Sequence, residues 1–343
     1  MKIMTNLHRD TLFDEIIDEA NILRSIYQNT SDKSPVSRSG YDSLKLFADV
    51  IVTQLHWLLK NELYYPSFKQ FTLFDRKMRM IVSPHIENSI VQRCIYEVIH
   101  EDFFKHFSPN SHSCIDGRSI LTAGTQVRKR INRIKAKNRE MYYLKTDFSN
   151  FFGSINASIL FDKLKIHIKE PRTLRLLSLY VFFSRGSGIP FGNLLSQLFG
   201  NFYLTELDFQ LSEYSYTRFA DDIVVLGELD EIKSALEIIK QYSIKNCLSF
   251  SEAKIGKVKA GFRFLGRKHF LDYHLLDRRH INTRREVYNN LNRYNKSKNK
   301  VKARTGKQYG NTSPYTLRVK GFIVYHVLIF VFTKRHASSA DWK

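Results

Sequence analysis

Cysteine is almost missing from this chain. Cys94, Cys114 and Cys247 are the three among 343 residues, an odd number with no CxxC pair. That excludes a disulfide framework and removes the thiolate spacing of a structural zinc site. The three read as core or half-buried thiols. Long apolar runs are missing too. The longest, Gly321 to Phe332 (GFIVYHVLIFVF), carries His326 and falls short of the roughly 18 residues that a spanning helix needs. The N-terminal stretch MKIMTNLHRDTLFDEI lacks the apolar core of a secretory signal and carries acids early. A cytoplasmic protein with no membrane partner is expected. Acids are scarce relative to bases: 33 Asp and Glu stand against 54 Lys and Arg, a formal net charge of +21. Such an excess attracts polyanions and makes their binding salt-dependent. Nucleic acid is the leading partner and an anionic membrane surface the runner-up.

What is present argues for an ordered globular chain. The hydrophobic share of 43% is ordinary and excludes global disorder. The length exceeds one average domain, so two or three subdomains around more than one core are expected. Residues 1–60 read as a helical extension, because Leu12, Ile16, Ile17, Ile22, Leu23 and Ile26 recur at three- to four-residue spacing. A polar break, NTSDKSPVSRSGY, separates this from a second helical run ending near Leu63. Phe71 to Val82 (FTLFDRKMRMIV) predicts two short strands around a charged turn, and 86–106 a helix. Gln126 to Arg139 (QVRKRINRIKAKNR) is strongly basic with apolar residues at helical intervals. It fits a solvated helix face and a phosphate-tracking face equally well. Beyond Asp277 the chain is basic again, with interleaved tyrosines suited to a nucleic-acid backbone.

Three segments carry chemistry. In MYYLKTDFSNFFGSI a buried strand arrives at Asp147 and a tight helical turn follows. An acid ending an apolar strand is expensive unless it caps something or binds a cation, and an N-cap is the plainer reading. In YTRFADDIVVLG two apolar runs flank Asp221 and Asp222, which predicts a hairpin with adjacent acids at its tip. One turn Asp has a local explanation. Two repel each other and call for a counter-charge, which a divalent cation with oxygen ligands supplies. The third, GSGIPFGNLLSQLFGNFYLTELD, opens on a Gly/Pro turn and continues as an amphipathic helix. Its apolar side is Leu194, Leu198, Phe202 and Leu207. Alone it also reads as an ordinary packed helix.

At DFSNFF, IPFGNLLSQLFGNFYLTELD and RFADD the chain resembles the reverse transcriptase family, in its prokaryotic, group II intron-like branch. Those stretches are similar to the family's first metal-binding motif, its substrate-facing helix and its two-aspartate hairpin. RKMRMIVSP resembles the fingers segment that meets the incoming triphosphate. FSEAK resembles the motif with a lysine near the pyrophosphate, and FRFLG the hairpin that grips the primer end. The resemblance covers roughly residues 65 to 270. The form GxxxSQ at Gly192 to Gln197 is most similar to enzymes of diversity-generating retroelements and some phage-defence relatives.

The resemblance implies an α+β right-hand polymerase with an antiparallel palm sheet, fingers and a short helical thumb. Residues 61–140 would be fingers, 141–266 palm with 157–190 partly fingers, and 267–343 a basic helical thumb and tail. It implies an RNA-directed DNA polymerase that uses two-metal phosphoryl transfer, with two Mg²⁺ ions or Mn²⁺ in their place. Asp147, Asp221, Asp222 and the Phe148 carbonyl would hold them. Lys77, Arg79, Phe152, Phe191, Gln197 and Lys254 would border the nucleotide, with Phe152 as the gate against a ribose 2′-hydroxyl. Phe264, Leu265 and Gly266 would grip the primer. Template RNA, a DNA or RNA primer, dNTPs and an accessory protein are the implied partners. Two departures stand out: Phe219 replaces the usual Tyr before the acids, and Phe191 replaces the common Gln. Two rival readings are a phage-defence enzyme with protein-primed or untemplated synthesis and a non-catalytic, maturase-like RNA-binding scaffold.

Overall fold

In the computed structural model the N-terminal periodicity becomes three helices, α1 (Leu12–Ile17), α2 (Glu19–Ser31) and α3 (Ala48–Lys60). The structure describes residues 4–31, 44–75, 77–136, 140–183 and 188–276. The expected basic thumb and tail therefore lie outside the described residues, apart from 267–276. Leu12, Ile16, Ile17, Ile22 and Ile26 are all buried, as their spacing requires. α3 packs on α2, and α1 and α2 pack on α4 (Ile86–His106), whose Ile90, Val91, Cys94, Ile95 and Ile99 are fully enclosed. In chain order a hairpin of β1 (Phe68–Asp75) and β2 (Lys77–Pro84) comes before α4, in a register that sets Asp75 opposite Lys77.

Next comes the basic helix α5 (Ile120–Lys135). Ser119 caps it by accepting from the Thr122 N–H at 3.3 Å, while the Thr122 hydroxyl accepts from the Ser119 N–H at 2.8 Å. The structure divides its cations. Arg128 donates to the carbonyls of Phe270 and Leu271, both at 2.8 Å. Arg130 donates to the Asn110 side chain at 2.6 Å and lies over the Tyr216 ring. Lys135 pairs with Asp272. Lys129, Arg133 and Lys135 are exposed. Among the described residues Arg128 and Arg130 of the run thus serve as an internal clamp, a third outcome beside the two its sequence allowed.

The middle of the chain forms an antiparallel sheet from β3 (Tyr142–Thr146), β4 (Ser215–Phe219), β5 (Asp222–Gly227) and β6 (Lys254–Lys257), in the order β4-β5-β3-β6. Its two faces join different cores. Leu144, Tyr216, Ile223 and Val225 belong to the large core. Met141, Phe219, Val224 and Leu226 belong to a smaller one with Ala123, Val127 and Ile131 of α5. Coverage on both sides explains why IVVL is a continuous apolar run rather than an alternation. A short helical turn, α6 (Phe151–Ser154), follows β3, and α7 (Ala157–His167) and α8 (Pro171–Val181) come next.

The helix expected through Asp208 is broken. It is α9 (Leu194–Tyr203) and α10 (Thr205–Gln210), hinged at Leu204 with φ −90° and ψ 1°. The hinge lets Phe202, Leu207 and Asp208 all be buried, which one straight amphipathic face would not. Long α11 (Leu229–Lys245) then lays Ile232, Ala235, Ile239 and Tyr242 in the large core. A second sheet, β7 (Phe262–Phe264), β8 (Arg267–His269) and β9 (His274–Leu276), closes the described chain. The fold class is α+β, as expected. Among the described residues no helix is long and apolar enough to cross a membrane. The thiols differ from one another. Burial pushes Cys94 up to about 12, Cys114 is half-buried, and Cys247 is exposed at a turn with φ 54°, against the expectation of three core or half-buried thiols.

Candidate active site

The β4–β5 hairpin closes with Phe219 opposite Asp222, leaving Ala220 and Asp221 as the two turn residues. Ala220 sits at φ 54°, a left-handed conformation that costs a residue with a Cβ about 1 to 2 kcal/mol. Asp147 comes from the neighbouring strand. The β3–β5 register ends on Thr146 opposite Ile223, and one more step sets Asp147 beside Asp222. Three acids that span 75 positions, from 147 to 222, thus meet at one end of one sheet.

Burial and the neighbouring negative charges raise the proton affinities of Asp221 and Asp222. Burial, then the charges of Asp222 and Asp147, push the Asp221 carboxyl up to about 7. Burial also raises Asp222, with Lys145 opposing it and Asp147 adding to it. Lys145 Nζ lies 3.7 Å from an Asp222 oxygen. Directly across from Lys145, on β6, is Lys254. Two lysines opposite each other repel unless an anion lies near, and here carboxylates supply one. The sequence named Lys254. It did not name Lys145, because a lysine on a strand reads as a solvated side chain.

Phe148 forms an antiparallel bridge with Phe250. Ser149 N–H donates to the Ser249 carbonyl at 2.7 Å, and Ser251 N–H to the Asp147 carbonyl at 3.1 Å. In such a pair the bridged residue's own carbonyl points away from the partner strand. It is therefore available to a ligand next to Asp147. Among the described residues no three His, Cys, Asp or Glu side chains form a ready-made cage for a metal ion. The donors at hand are two adjacent carboxylates, a third across the strand pair and one carbonyl. All are oxygen, and such a set fits Mg²⁺ or Mn²⁺ that shares its shell with substrate phosphates and water.

Phe152, on α6, is held on several sides. Its ring is 5.2 Å from Phe151 and 5.4 Å, edge to face, from Phe191. Its carbonyl accepts from the Ile189 N–H at 2.8 Å. Behind it lies Gly200, where a Cβ would come within 3.1 Å of the Phe152 ring and 3.2 Å of the Phe151 ring. A Cβ there would oblige the two rings to give by a few tenths of an ångström. Gln197 is half-buried one turn earlier on α9. At the expected primer grip, Leu265 and Gly266 form the β7–β8 turn with φ 48° and 71°. The Phe264 ring is buried in the smaller core, so the turn and not the ring is what this hairpin can present. Phe219 is buried there as well. Lys77 and Arg79 fall on β2, and their side chains lie outside the described residues.

Beneath the hairpin, on the large-core face, Arg218 is fully buried and paired with buried Asp208. Burial works against its charge, and Asp208 more than offsets that by attraction and hydrogen bonding. Both residues lie in quoted motif stretches, RFADD and LTELD, but their pairing was missed because no local pattern says that the two segments meet.

The sheet thus gathers an acid from a strand end and two from an adjacent hairpin, with basic residues beside them. Residues 69–269 match the model of the family described as reverse transcriptase (RNA-dependent DNA polymerase), and the chain belongs to that family. Its right-hand polymerase fold is the one the resemblance implied. Among curated relatives, the chain is 25% identical to nuclear intron maturase 4, mitochondrial, of Arabidopsis thaliana. That match covers 52% of this chain and 24% of the maturase. It is 24% identical to the group II intron-encoded protein LtrA of Lactococcus lactis subsp. cremoris, over 60% of this chain and 35% of that one. The chain thus spans about a quarter and about a third of those relatives' lengths. Among solved structures it is similar to an apo telomerase from Candida tropicalis truncated from its C-terminal domain. There the TM-score is 0.49 and the identity 12%, over 64% of this chain and 58% of that one.

Proposed function

We propose that this chain is an RNA-directed DNA polymerase that extends a DNA or RNA primer with dNTPs on an RNA template. The observation that carries the proposal is the convergence of Asp147, Asp221 and Asp222 at one sheet end, beside Lys145 and Lys254. Bound there by these acids and the Phe148 carbonyl, two divalent ions, Mg²⁺ or Mn²⁺, would supply Lewis acidity to the attacking and leaving oxygens of an in-line displacement.

The chain's own residues do the rest. Asp221 releases its proton readily once positive charge neutralises the cluster, because repulsion is part of what holds that proton. Lys254 protonates the departing pyrophosphate, and Lys145 keeps Asp222 oriented until substrate arrives. Phe152 blocks the ribose 2′-hydroxyl, with Phe191 as its lateral support and Gln197 at the pocket edge. Lys77 and Arg79 contact the triphosphate, and the Leu265–Gly266 turn steadies the primer. In this reading 1–60 is an extension, 61–140 fingers, 141–266 palm with 157–190 partly fingers, and 267–343 thumb and tail, although Arg267–His269 and His274–Leu276 are strands and not the helix expected there. The GNLLSQ form of α9 supports a role in a diversity-generating retroelement.

Primer extension on a heteropolymeric RNA with Mg²⁺ tests the proposal. Wild-type protein extends the primer, and the Asp221→Asn/Asp222→Asn variant does not. No extension by either favours the non-catalytic scaffold, and untemplated product favours the phage-defence enzyme.

A further inference from the structure

The ion pair beneath the catalytic hairpin is more elaborate than burial alone requires. Arg218 Nε donates to Asp208 Oδ1 at 2.9 Å and Nη2 to Oδ2 at 2.5 Å, a two-pronged contact. The remaining nitrogen, Nη1, donates to the Ala220 carbonyl at 2.8 Å and to Asn201 Oδ1 at 3.2 Å. Asn201 is itself fixed, donating to the Ser113 carbonyl at 2.7 Å. Asp208 Oδ1 accepts also from the Tyr216 hydroxyl at 3.1 Å. The Arg218 backbone is tied on both sides, its N–H donating to the Asn110 carbonyl at 2.8 Å and its carbonyl accepting from the His112 N–H at 3.0 Å.

Two physical points give this network a purpose. A buried ion pair is weak as a source of stability, because well-packed apolar side chains of similar volume serve as well or better. What an ion pair with a planar fork supplies is direction. Here the direction is toward Ala220, a non-glycine residue in the left-handed region, and strain of that kind persists only where the surroundings over-determine it. The carbonyl that Arg218 holds belongs to the peptide joining Ala220 to Asp221. Its orientation sets where the Asp221 side chain leaves the turn. Arg218 cannot reach substrate: it is fully enclosed, on the sheet face opposite the one shared by Lys145 and Asp222.

We propose that Arg218 is a positioning residue that fixes the Ala220–Asp221 peptide from beneath the sheet, and that Asp208 and Asn201 hold its guanidinium in the orientation this needs. The inference rests on the metal-binding reading of Asp221 and Asp222 given above.

The test compares wild type with the double variant Arg218→Met/Asp208→Leu, which removes both buried charges together, and with Arg218→Lys, which keeps Asp208 paired but lacks the fork. Three quantities are measured on full-length protein: thermal midpoint, Mn²⁺ affinity by electron paramagnetic resonance, and kcat and KM for dNTP. The double variant should fold with a midpoint near wild type. Its Mn²⁺ affinity should fall by roughly tenfold and its kcat by about a hundredfold, with KM for dNTP little changed, as for a displaced catalytic group. Arg218→Lys should fall in the same direction. Wild-type Mn²⁺ affinity and kcat in either folded variant overturn the inference and leave the pair a structural one. A wild type that neither binds Mn²⁺ nor extends a primer defeats the carboxylate reading instead, which keeps the two failures apart.

Discussion

Phe152 illustrates how a single side chain acquires a role from its supports. Phe151, Phe191 and the approach allowed by Gly200 pack around its ring, which suits the gate role proposed for it. Phe152→Ala should therefore raise ribonucleotide use relative to deoxynucleotide by roughly tenfold or more. Competing rNTP and dNTP incorporation measures this, and unchanged discrimination removes the gate role. Asp221 makes a separate claim. Its folded-state value of about 7 lies above the roughly 3.9 of an unfolded Asp, so folding favours the protonated form. The resulting stabilisation is full at acid pH and is lost as pH rises through about 7. Without divalent ions, the difference in thermal midpoint between Asp221→Asn and wild type should grow in the variant's favour from pH 5 to pH 8, and added Mg²⁺ should reduce it. A difference independent of pH contradicts the coupling. The acids were legible because apolar strands flank them. Lys145 and Arg218 were not, since which face a strand residue occupies depends on a register that no local pattern reveals.

At the scale of elements, short-range signals survived and long-range ones did not. Apolar runs with a charged or acidic interruption foretold both the β1–β2 and β4–β5 hairpins. The hinge at Leu204 was hidden, because its cause is burial of both flanking segments rather than a Gly or Pro. Helix α5 shows the same limit: periodicity located its apolar side, but only packing against β7–β9 turned Arg128 inward. That arginine holds two carbonyls of the Phe270–Leu271 segment. Hydrogen bonds from a charged donor are worth about 1.5 to 3 kcal/mol each. Arg128→Ala should accordingly speed amide hydrogen exchange in β7–β9 while leaving β3 and β5 protected. Equal effects on both sheets would mean that the second sheet is not separately anchored.

For the molecule as a whole, the net charge of +21 supplies attraction to nucleic acid of any sequence, and the sheet supplies a place for chemistry. What joins them is topology. Segments at 147, 221 and 254 become neighbours because β5 and β6 pair on either side of β3. The order of motifs made that arrangement readable through resemblance, and no single segment would have. The most direct measurement is the single-turnover rate of adding one dNTP to a primer on RNA, for wild type and for Asp147→Asn, Asp221→Asn and Asp222→Asn, each shown to be folded. The account predicts a loss of at least about a hundredfold for every one of the three. A folded Asp221→Asn protein that adds nucleotide at the wild-type rate would contradict it.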